Sequence, residues 1–228
     1  MEIFPDIPLP EPQQRTVDAM RAVLADGDCP ASGPLYFMYR SLAQNESDRL
    51  WLEEHRIRYD LTVIPAATLC SEFVKTKGHY HPVNPAGVGY TELYQVISGQ
   101  AHYLLQKEDC SDAVVVRAAA GDVVLIPPGY GHVTINPAEE ELAMVNLVSA
   151  SFASVYAPFE ERRGAAFYEM CSGWEKNPHY PLHPVLRFED AREYPEYGIL
   201  HGRRIYDLIG SEDIAGILNR PEKYPALF

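Results

Sequence analysis

The middle of this chain is a run of short apolar segments separated by turn residues, and this feature limits the possible folds most. The segments read TELYQVI, AHYLLQ, AVVVRA, DVVLIPP, HVTIN and ELAMVNLV. Turn residues stand between them, as at Ser98-Gly99, Gly121-Asp122 and Asn136-Pro137. No helix-length pattern interrupts the run, which argues against a parallel sheet built from alternating strands and helices. Evenly spaced short strands predict an all-β sandwich or barrel.

Three regions are expected along the chain. Residues 1–33 are rich in proline and predict an N-terminal arm. Residues 34–170 contain the strand-like segments and predict the barrel. Residues 171–228 carry several further prolines and predict a C-terminal extension of short helices packed on the barrel.

Few local patterns favour a helix. One lies near Arg15–Ala25, where the Thr16 hydroxyl is placed to cap it. The segment DRLWLEEHRIR fits a short helix or a strand equally well, and EERRGAAFYEM suggests one more strand. Short helices are expected in the extension at Glu189–Glu193 and Ile214–Asn219.

The composition narrows the class of partner. The formal net charge of −13 argues against nucleic acid or an anionic membrane surface. An anionic ligand would need a local positive site, which a bound metal ion can supply. No window approaches about 18 consecutive apolar residues, so no membrane span is expected. The N-terminal residues lack the basic and apolar regions of a signal peptide, which predicts a cytoplasmic protein.

The cysteines show no metal-binding spacing. No CxxC pair occurs, and an even count alone would permit disulfides. In a chain of this length without a secretion signal, reduced and partly buried thiols are the expectation. The four positions are Cys29, Cys70, Cys110 and Cys171.

Two segments gather residues that suit a metal ion. His79 and His81 are two residues apart, so in an extended strand both side chains project to one face. Glu92 begins a predicted strand, and His132 begins another after a Pro-Pro-Gly-Tyr-Gly turn. Considered singly, each of these residues could have a role other than metal binding, such as a place on a polar surface or a hydrogen bond to the backbone. Three imidazoles and one carboxylate suit iron, manganese, zinc, cobalt or nickel, with two positions left on an octahedral ion.

These segments resemble the two motifs of the cupin family. The first motif pairs His-x-His with a Glu that six residues separate from a Gly, as Glu92 and Gly99 are here. The second is matched at every position, by Gly121, Pro127, Gly129, His132 and Asn136. The resemblance implies a single jelly-roll barrel that binds a metal. One departure is the ten residues between His81 and Glu92, which predict a loop over residues 82–91 at the barrel mouth, either a mobile lid or a dimer contact.

The finer sequence is similar to the cupin-type glucose-6-phosphate isomerases, known from archaea and some bacteria. The likeness runs from about Pro34 to about Met170. It rests on a Thr-x-Gly-His-x-His start, a following Glu-x-Tyr, and a strand that ends Leu-Leu-Gln. The matching residues are Thr76, Gly78, His79, His81, Glu92, Tyr94, Leu104, Leu105 and Gln106.

The resemblance implies a homodimer that interconverts glucose 6-phosphate and fructose 6-phosphate with one divalent transition metal per chain. Iron or manganese is expected first, with zinc, nickel or cobalt as alternatives. A His that the family has two residues before the tyrosine matching Tyr156 is Ser154 here. The family's roles fall on metal ligands His79, His81, Glu92 and His132, catalytic residues Glu92 and Tyr94, and substrate-binding residues Thr62, Thr76, Gly78 and Tyr156.

Alternatives remain at this point. Glu92 is a candidate base for an enediol route, whereas a hydride shift would need the metal alone. The same ligand set would serve a dioxygenase, a different sugar isomerase or a non-catalytic sugar-binding protein. Thr62 and Thr76 also favour strands for their own sake, and Tyr94 could fill the core. Lys75 and Lys77 flank the first motif and are expected to face solvent, with Lys77 better placed to steer an anion.

Overall fold

The computed structural model describes residues 9–228, and residues 1–8 of the predicted arm lie outside the described part. The strands are β1 (Gln13–Thr16), β2 (Pro34–Tyr39), β3 (Ile57–Ile64), β4 (Thr68–Leu69), β5 (Glu72–Phe73), β6 (Glu92–Ser98), β7 (Gln100–Lys107), β8 (Ala113–Ala119), β9 (Val123–Ile126), β10 (Tyr130–Ile135), β11 (Leu142–Ser149), β12 (Phe167–Met170), β13 (Gly173–Lys176) and β14 (Leu186–Asp190). The α-helices are α1 (Val17–Met20), α2 (Glu46–Glu54), α3 (Ala157–Glu161) and α4 (Glu212–Asn219).

The strands form two large sheets and one small one. The order is β1-β2-β3-β11-β6-β9 in the six-stranded sheet and β10-β7-β8-β14 in the second. A small sheet, β13-β12-β5-β4, completes the set. Strands β6 to β11 follow one another without a helix and are shared between the two large sheets, as in a jelly roll. The all-β prediction is confirmed.

Glycines of the two motifs turn the chain between these strands. Gly99, Gly121 and Gly129 have φ of 79°, 97° and 78°. This left-handed region is accessible to glycine without the steric cost that a Cβ brings. The motif glycines are therefore explained by strand-to-strand turns.

The main core lies between the large sheets. Tyr103 on β7 is fully buried, and its hydroxyl donates to the sulfur of Met144 on β11 at 3.4 Å. Its ring centroid lies 5.2 Å from that of Tyr94 on β6. These contacts join the two sheets across the interior.

A second core covers the outer face of the six-stranded sheet. Every residue of β11 is buried, because one face of the strand points inward and the other packs beneath the C-terminal extension. The covering residues come from α2 and from the segment that ends with α4. They include Leu52, Ile205, Leu208, Ile214, Ile217 and Leu218. The predicted helix at Ile214–Asn219 is confirmed within α4.

Two helix predictions need correction. The arm is helical only over α1 with a following 3-10 turn, and Gln13–Thr16 forms β1, which pairs with β2. The Thr16 cap is confirmed, since its hydroxyl accepts from the Ala19 amide at 3.3 Å. The helix expected at Glu189–Glu193 is wrong. Glu189 and Asp190 end β14, which extends the second sheet by pairing in parallel with β8, and residues 191–193 are in neither a helix nor a strand.

The ambiguous segments are also resolved. DRLWLEEHRIR contains most of α2 and the start of β3, with the Asn45 side chain accepting from the Asp48 amide as N-cap. EERRGAAFYEM begins in α3 and ends in β12. Lys75 does not face solvent as expected: it is 5% exposed and forms a buried ion pair with Glu72, whose carboxylate also accepts from the Ala25 amide.

The expectation of reduced thiols is wrong for one pair. Cys29 and Cys70 form a disulfide, while Cys110 and Cys171 are free. The bond joins the end of the arm to the turn between β4 and β5. Sequence spacing could not reveal this pair, because the fold brings together residues 41 positions apart. Among residues 9–228, no helix is long and apolar enough to cross a membrane.

The loop at residues 82–91 is anchored on the C-terminal extension. The buried Asn84 amide nitrogen donates to Glu222 Oε2 at 2.7 Å and to the Asn219 carbonyl at 3.3 Å. Its oxygen accepts from the amides of Ala86 and Val88, at 2.9 and 3.2 Å. At the end of the loop, the hydroxyl of Thr91 donates to the Ile217 carbonyl at 2.7 Å. This anchoring argues against a freely mobile lid.

Asn84→Ala should release the loop. The change removes an acceptor for two loop amides and a donor to the extension, and unsatisfied buried groups of this kind cost about 1–3 kcal/mol of stability. We expect faster hydrogen exchange at the Ala86 and Val88 amides, measured by NMR or mass spectrometry. Asn45→Ala, which removes the α2 cap, should leave those amides unchanged. Equal exchange in wild type and Asn84→Ala would show that the anchor does not hold the loop.

Candidate active site

The two motifs lie side by side at one end of the barrel. The extended segment before the loop runs antiparallel to β10, and His79 and His132 exchange backbone hydrogen bonds of 3.3 and 3.1 Å. Glu92 is the first residue of β6, and its partner on β11 is Val148. The backbone pairing therefore delivers side chains from three separate segments to one point.

The structure brings together the four predicted metal ligands. One potential ligand atom from each of His79, His81, Glu92 and His132 lies within 4.8 Å of the others. The Oε2 atom of Glu92 is 3.2 Å from His81 Nε2 and 3.4 Å from His132 Nε2. His79 is half-buried and the other three are buried.

The orientation of His81 depends on the loop. Its Nδ1 lies 3.0 Å from the carbonyl oxygen of Tyr90, which can only accept a hydrogen bond. Nδ1 therefore carries the proton, and the Nε2 lone pair faces the cluster. Tyr90 is also stacked on Phe152 at a centroid distance of 4.8 Å.

Unpaired acceptors show that the cluster fits a cation. His81 Nε2 and Glu92 Oε2 are buried and have no hydrogen-bond partner among the described residues. Two acceptors that face each other without a donor are costly in a protein interior. A divalent metal bound by three imidazoles and one carboxylate would remove that cost with a familiar donor set.

The protonation states suit metal binding as well. Burial lowers the pKa of both His79 and His132; neighbouring imidazoles add to the effect at His79, and at His132 burial outweighs the raising effect of Glu92. Burial alone would raise the pKa of Glu92, but the adjacent imidazoles of His132 and His81, whose protonated forms attract the carboxylate, hold it well below the usual value. Neutral imidazoles and an ionised carboxylate are the forms that bind metals.

Tyr94 lies beside this cluster as a protonated phenol. Burial raises its pKa well above the usual value, and the Glu92 carboxylate adds to the effect. Its oxygen is 3.2 Å from His132 Nε2. Tyr94 is 6% exposed and lines the cavity, so it can donate a hydrogen bond to a ligand beside the cluster.

A cavity of about 250 Å³ opens from the cluster between the two sheets. Three of the four predicted substrate residues, Thr62, Thr76 and Tyr156, line it, and so does Ser154. Gly78 is not among the lining residues. A Cβ at Gly78 would lie 2.6 Å from a methyl of Val133, so close packing explains why a glycine stands there.

Cationic side chains line the cavity, and most of them were not predicted from the sequence. Lys77 was considered for anion steering, but Arg15, Arg40 and Arg58 were not. The missed signal is the alternation in β3, where Arg58, Asp60 and Thr62 share one face. In most half-buried strands that polar face meets water, whereas here the alternating apolar residues pack outward under the extension.

Two of these cations meet at one aromatic ring. The guanidinium carbon of Arg15 is 6.0 Å and Lys77 Nζ is 5.5 Å from the centroid of Tyr156. The Tyr36 hydroxyl accepts from Arg15 Nε at 3.3 Å and from the Lys77 amide at 3.0 Å. Lys77 also pairs with Glu160 at 2.5 Å. This end of the cavity is suited to an anion.

The fold and site together define a cupin: a jelly roll in which two motifs bring three histidines and a glutamate to the barrel interior. The model of the family described as glucose-6-phosphate isomerase (GPI) matches residues 14–187, which is more than half of the chain. The chain belongs to this glucose-6-phosphate isomerase family.

Individual relatives agree with this assignment. The chain is 25% identical over 145 residues to a glucose-6-phosphate isomerase of Thermococcus litoralis, covering 64% of this chain and 68% of that protein. It is 28% identical over 110 residues to the one from Pyrococcus furiosus, covering 48% and 56%. With the Thermococcus onnurineus protein the match covers 62% of the relative. The chain thus spans between about half and two thirds of the curated relatives it matches.

Solved structures give only a weak likeness. Bacillus subtilis oxalate decarboxylase superposes with a TM-score of 0.40 and 22% identity, covering 56% of this chain and 29% of that one.

His132→Ala should lower metal occupancy sharply. The change removes one of four ligands and opens a cavity beside Glu92, so the affinity for a divalent ion should fall. Elemental analysis of purified protein is expected to give about one transition metal per wild-type chain and much less in the variant. His179→Ala, at an exposed histidine outside the cluster, should keep the wild-type content. Full occupancy in His132→Ala would exclude His132 from the ligands.

Proposed function

We propose that this protein interconverts glucose 6-phosphate and fructose 6-phosphate in a metal-dependent reaction. The observation that carries the proposal is a single cavity that joins the His₃Glu cluster to a cationic end near Thr76 and Tyr156. Small-ligand pockets commonly have volumes of roughly 300–1,000 Å³, so about 250 Å³ suits a small polar metabolite. Membership in the isomerase family supports the same activity.

The proposed cofactor is one divalent transition metal per chain, with iron or manganese preferred. His79, His81, Glu92 and His132 would hold it. When bound there, the ion supplies Lewis acidity to the oxygens on C1 and C2 of the sugar. Neither metal is favoured over the other by the ligand set, since imidazole and carboxylate groups serve both.

Glu92 and Tyr94 are the proposed catalytic residues. In the forward direction, the Glu92 carboxylate takes the proton from C2 and returns it to C1, while the hydroxyl proton moves from O2 to O1. The Tyr94 phenol donates a hydrogen bond to an oxygen of the reacting carbons, because its raised pKa keeps it protonated. A hydride shift between the carbons is the alternative route and needs no base.

The phosphate is proposed to bind in the part of the cavity near Tyr156, whose ring centroid is 5.5 Å from that of His79. Thr62 and Thr76 line the cavity, and the Thr76 hydroxyl already accepts from the Thr134 amide at 2.9 Å, so its own proton is free for a ligand. Arg15 and Lys77, the latter paired with Glu160, both lie against the ring of Tyr156 and add positive charge there. In a chain of net charge −13, these local cations offset the repulsion of a phosphate dianion.

A homodimer in the cytoplasm remains our proposal for assembly and location. Exposed apolar side chains, such as Val83 in the loop and Leu182 and Val185 in the extension, offer contact area for a second copy. Sedimentation analysis that finds only monomers would exclude the dimer. The disulfide is unusual for a cytoplasmic protein of a mesophile, so thiol trapping in intact cells would check the location and the bond together.

The activity has a direct test. Purified protein loaded separately with iron, manganese, zinc, nickel and cobalt should form glucose 6-phosphate from fructose 6-phosphate in an assay coupled to a dehydrogenase. We expect chelation to remove the activity and the preferred metal to restore it. Protein that binds metal but isomerises neither sugar phosphate with any of these ions would exclude the proposed function and favour another cupin chemistry.

Glu92→Gln separates the two routes. The carboxamide oxygen can still ligate weakly, but the side chain cannot accept a proton at neutral pH. If Glu92 is the base, the kcat of the metal-loaded variant should fall by about two to four orders of magnitude. Metal content is measured in the same sample, and Glu139→Gln, at an exposed site, serves as the matched control. Near-normal turnover in metal-loaded Glu92→Gln would support hydride transfer.

A further inference from the structure

One polar side chain in the cavity wall has no structural explanation. Asn146 lies on β11, the central strand of the six-stranded sheet, and is 2% exposed. Its amide nitrogen has no hydrogen-bond partner among residues 9–228. Buried donors are nearly always paired, so an orphan in a well-ordered sheet calls for an explanation.

The neighbours of Asn146 are already engaged. Across the sheet, it is paired with Tyr94 on β6 and with Asp60 on β3. The Asp60 carboxylate already has three donors, since it accepts from Arg40 at 2.7 Å, from the Ser41 amide at 2.8 Å and from Arg58. The Tyr94 hydroxyl is directed to His132. No neighbouring side chain has therefore taken up the Asn146 donor.

Local preference and packing do not account for asparagine either. Asn146 stands between Met144 and Val148 on the same face of an otherwise apolar strand. Asparagine is disfavoured in strands, and a leucine would fill the same volume without leaving an unpaired donor. The side chain is retained at a cost in the free protein, which is common at sites that bind a ligand.

Its position matches a specific part of the proposed substrate. Neighbouring strands are about 4.8 Å apart, so Asn146 on β11 is one strand away from Glu92 and Tyr94 on β6. With C1 and C2 at the His₃Glu cluster, the hydroxyl groups on C3 and C4 are the next polar atoms along the sugar. Asn146 also lines the cavity, together with Tyr94 and Thr62.

We infer that Asn146 is a substrate-positioning residue whose carboxamide donates a hydrogen bond to the C3 or C4 hydroxyl of the open-chain sugar phosphate. The inference rests on the proposed function and adds the recognition of a hydroxyl pattern to it. It explains how the cavity contacts the carbons of the sugar that lie next to the reacting pair. Loss of this contact should weaken substrate binding more than it lowers the rate of the reaction at C1 and C2.

The test compares two changes that each remove a buried, unpaired polar group. Asn146→Leu removes the donor in the cavity wall. Thr134→Val removes a hydroxyl that is equally buried and unpaired but does not line the cavity. Both proteins are prepared with metal bound. The measurements are metal content, melting temperature, the dissociation constant of glucitol 6-phosphate, and steady-state kinetics with fructose 6-phosphate and its 3-deoxy and 4-deoxy analogues.

For Asn146→Leu we expect a rise of about tenfold in the dissociation constant and in KM. The kcat should change much less, metal content should stay the same, and the melting temperature should be equal or higher. The deoxy analogue that lacks the contacted hydroxyl should bind wild type and Asn146→Leu equally. Thr134→Val should keep the wild-type affinity.

Three results would overturn the inference: an unchanged dissociation constant, an equal loss with every deoxy analogue, or a fall in metal content or melting temperature that accompanies the loss. The two proposals fail separately. Wild-type protein that binds glucitol 6-phosphate but isomerises no sugar would exclude the isomerase, while the binding data would still decide the role of Asn146. Absence of sugar-phosphate binding in wild type would exclude Asn146 as a substrate contact.

Discussion

The mutual approach of buried, unpaired acceptors is the constraint on which this structure depends. His81 Nε2 and Glu92 Oε2, which have no hydrogen-bond partner among the described residues, lie 3.2 Å apart in the protein interior, and His132 Nε2 lies 3.4 Å from the same carboxylate oxygen. Without a positive charge between them, this arrangement opposes folding. The barrel tolerates it because its sheets hold the backbone of His79, Glu92 and His132 in place. Most of the remaining organisation supports that convergence.

The ligands were predictable because their spacing is local. His79 and His81 share a face by strand geometry alone, and the second motif fixes His132 relative to its turn by a short run of glycines and prolines. The succession of strand-like segments also predicted the fold class, because recognisable turn residues separate them in the sequence. Even Asn136 of the motif has a structural reason, as its amide donates to the Ile64 and Glu140 carbonyls at 2.9 Å.

The rest could not be predicted, because it depends on which face of a strand meets which partner. Arg58 and Asp60 resemble a solvent-facing stripe until the C-terminal extension covers the opposite face and turns them inward. Asn146 similarly looks like an exception in an apolar strand until its neighbours are known. A helix was expected at Glu189–Glu193, but β8 offers an open edge, and the chain up to Asp190 pairs with it as a strand.

Hydrogen bonds connect the C-terminal extension to the loop at residues 82–91, and the loop to the site. Asn219 and Glu222 hold Asn84, and the same loop presents the Tyr90 carbonyl that selects the tautomer of His81. Residues more than a hundred positions from the motif in sequence thereby influence His81, one of the proposed metal ligands. The C-terminal segment is thus part of the support of the site, although the motifs contain no trace of it.

The disulfide gives the molecule a covalent ring. Cys29 and Cys70 enclose β2, α2, β3 and β4, so Arg40, Arg58 and Thr62 lie inside a closed loop of chain. By loop-closure entropy, such a ring restricts the unfolded chain by an amount on the order of 4 kcal/mol. Oxidised and reduced preparations would hold the same four ligands, yet they would melt at different temperatures. The redox state of Cys29 and Cys70 in a sample therefore affects the stability of this protein, and it should be controlled as carefully as the metal content.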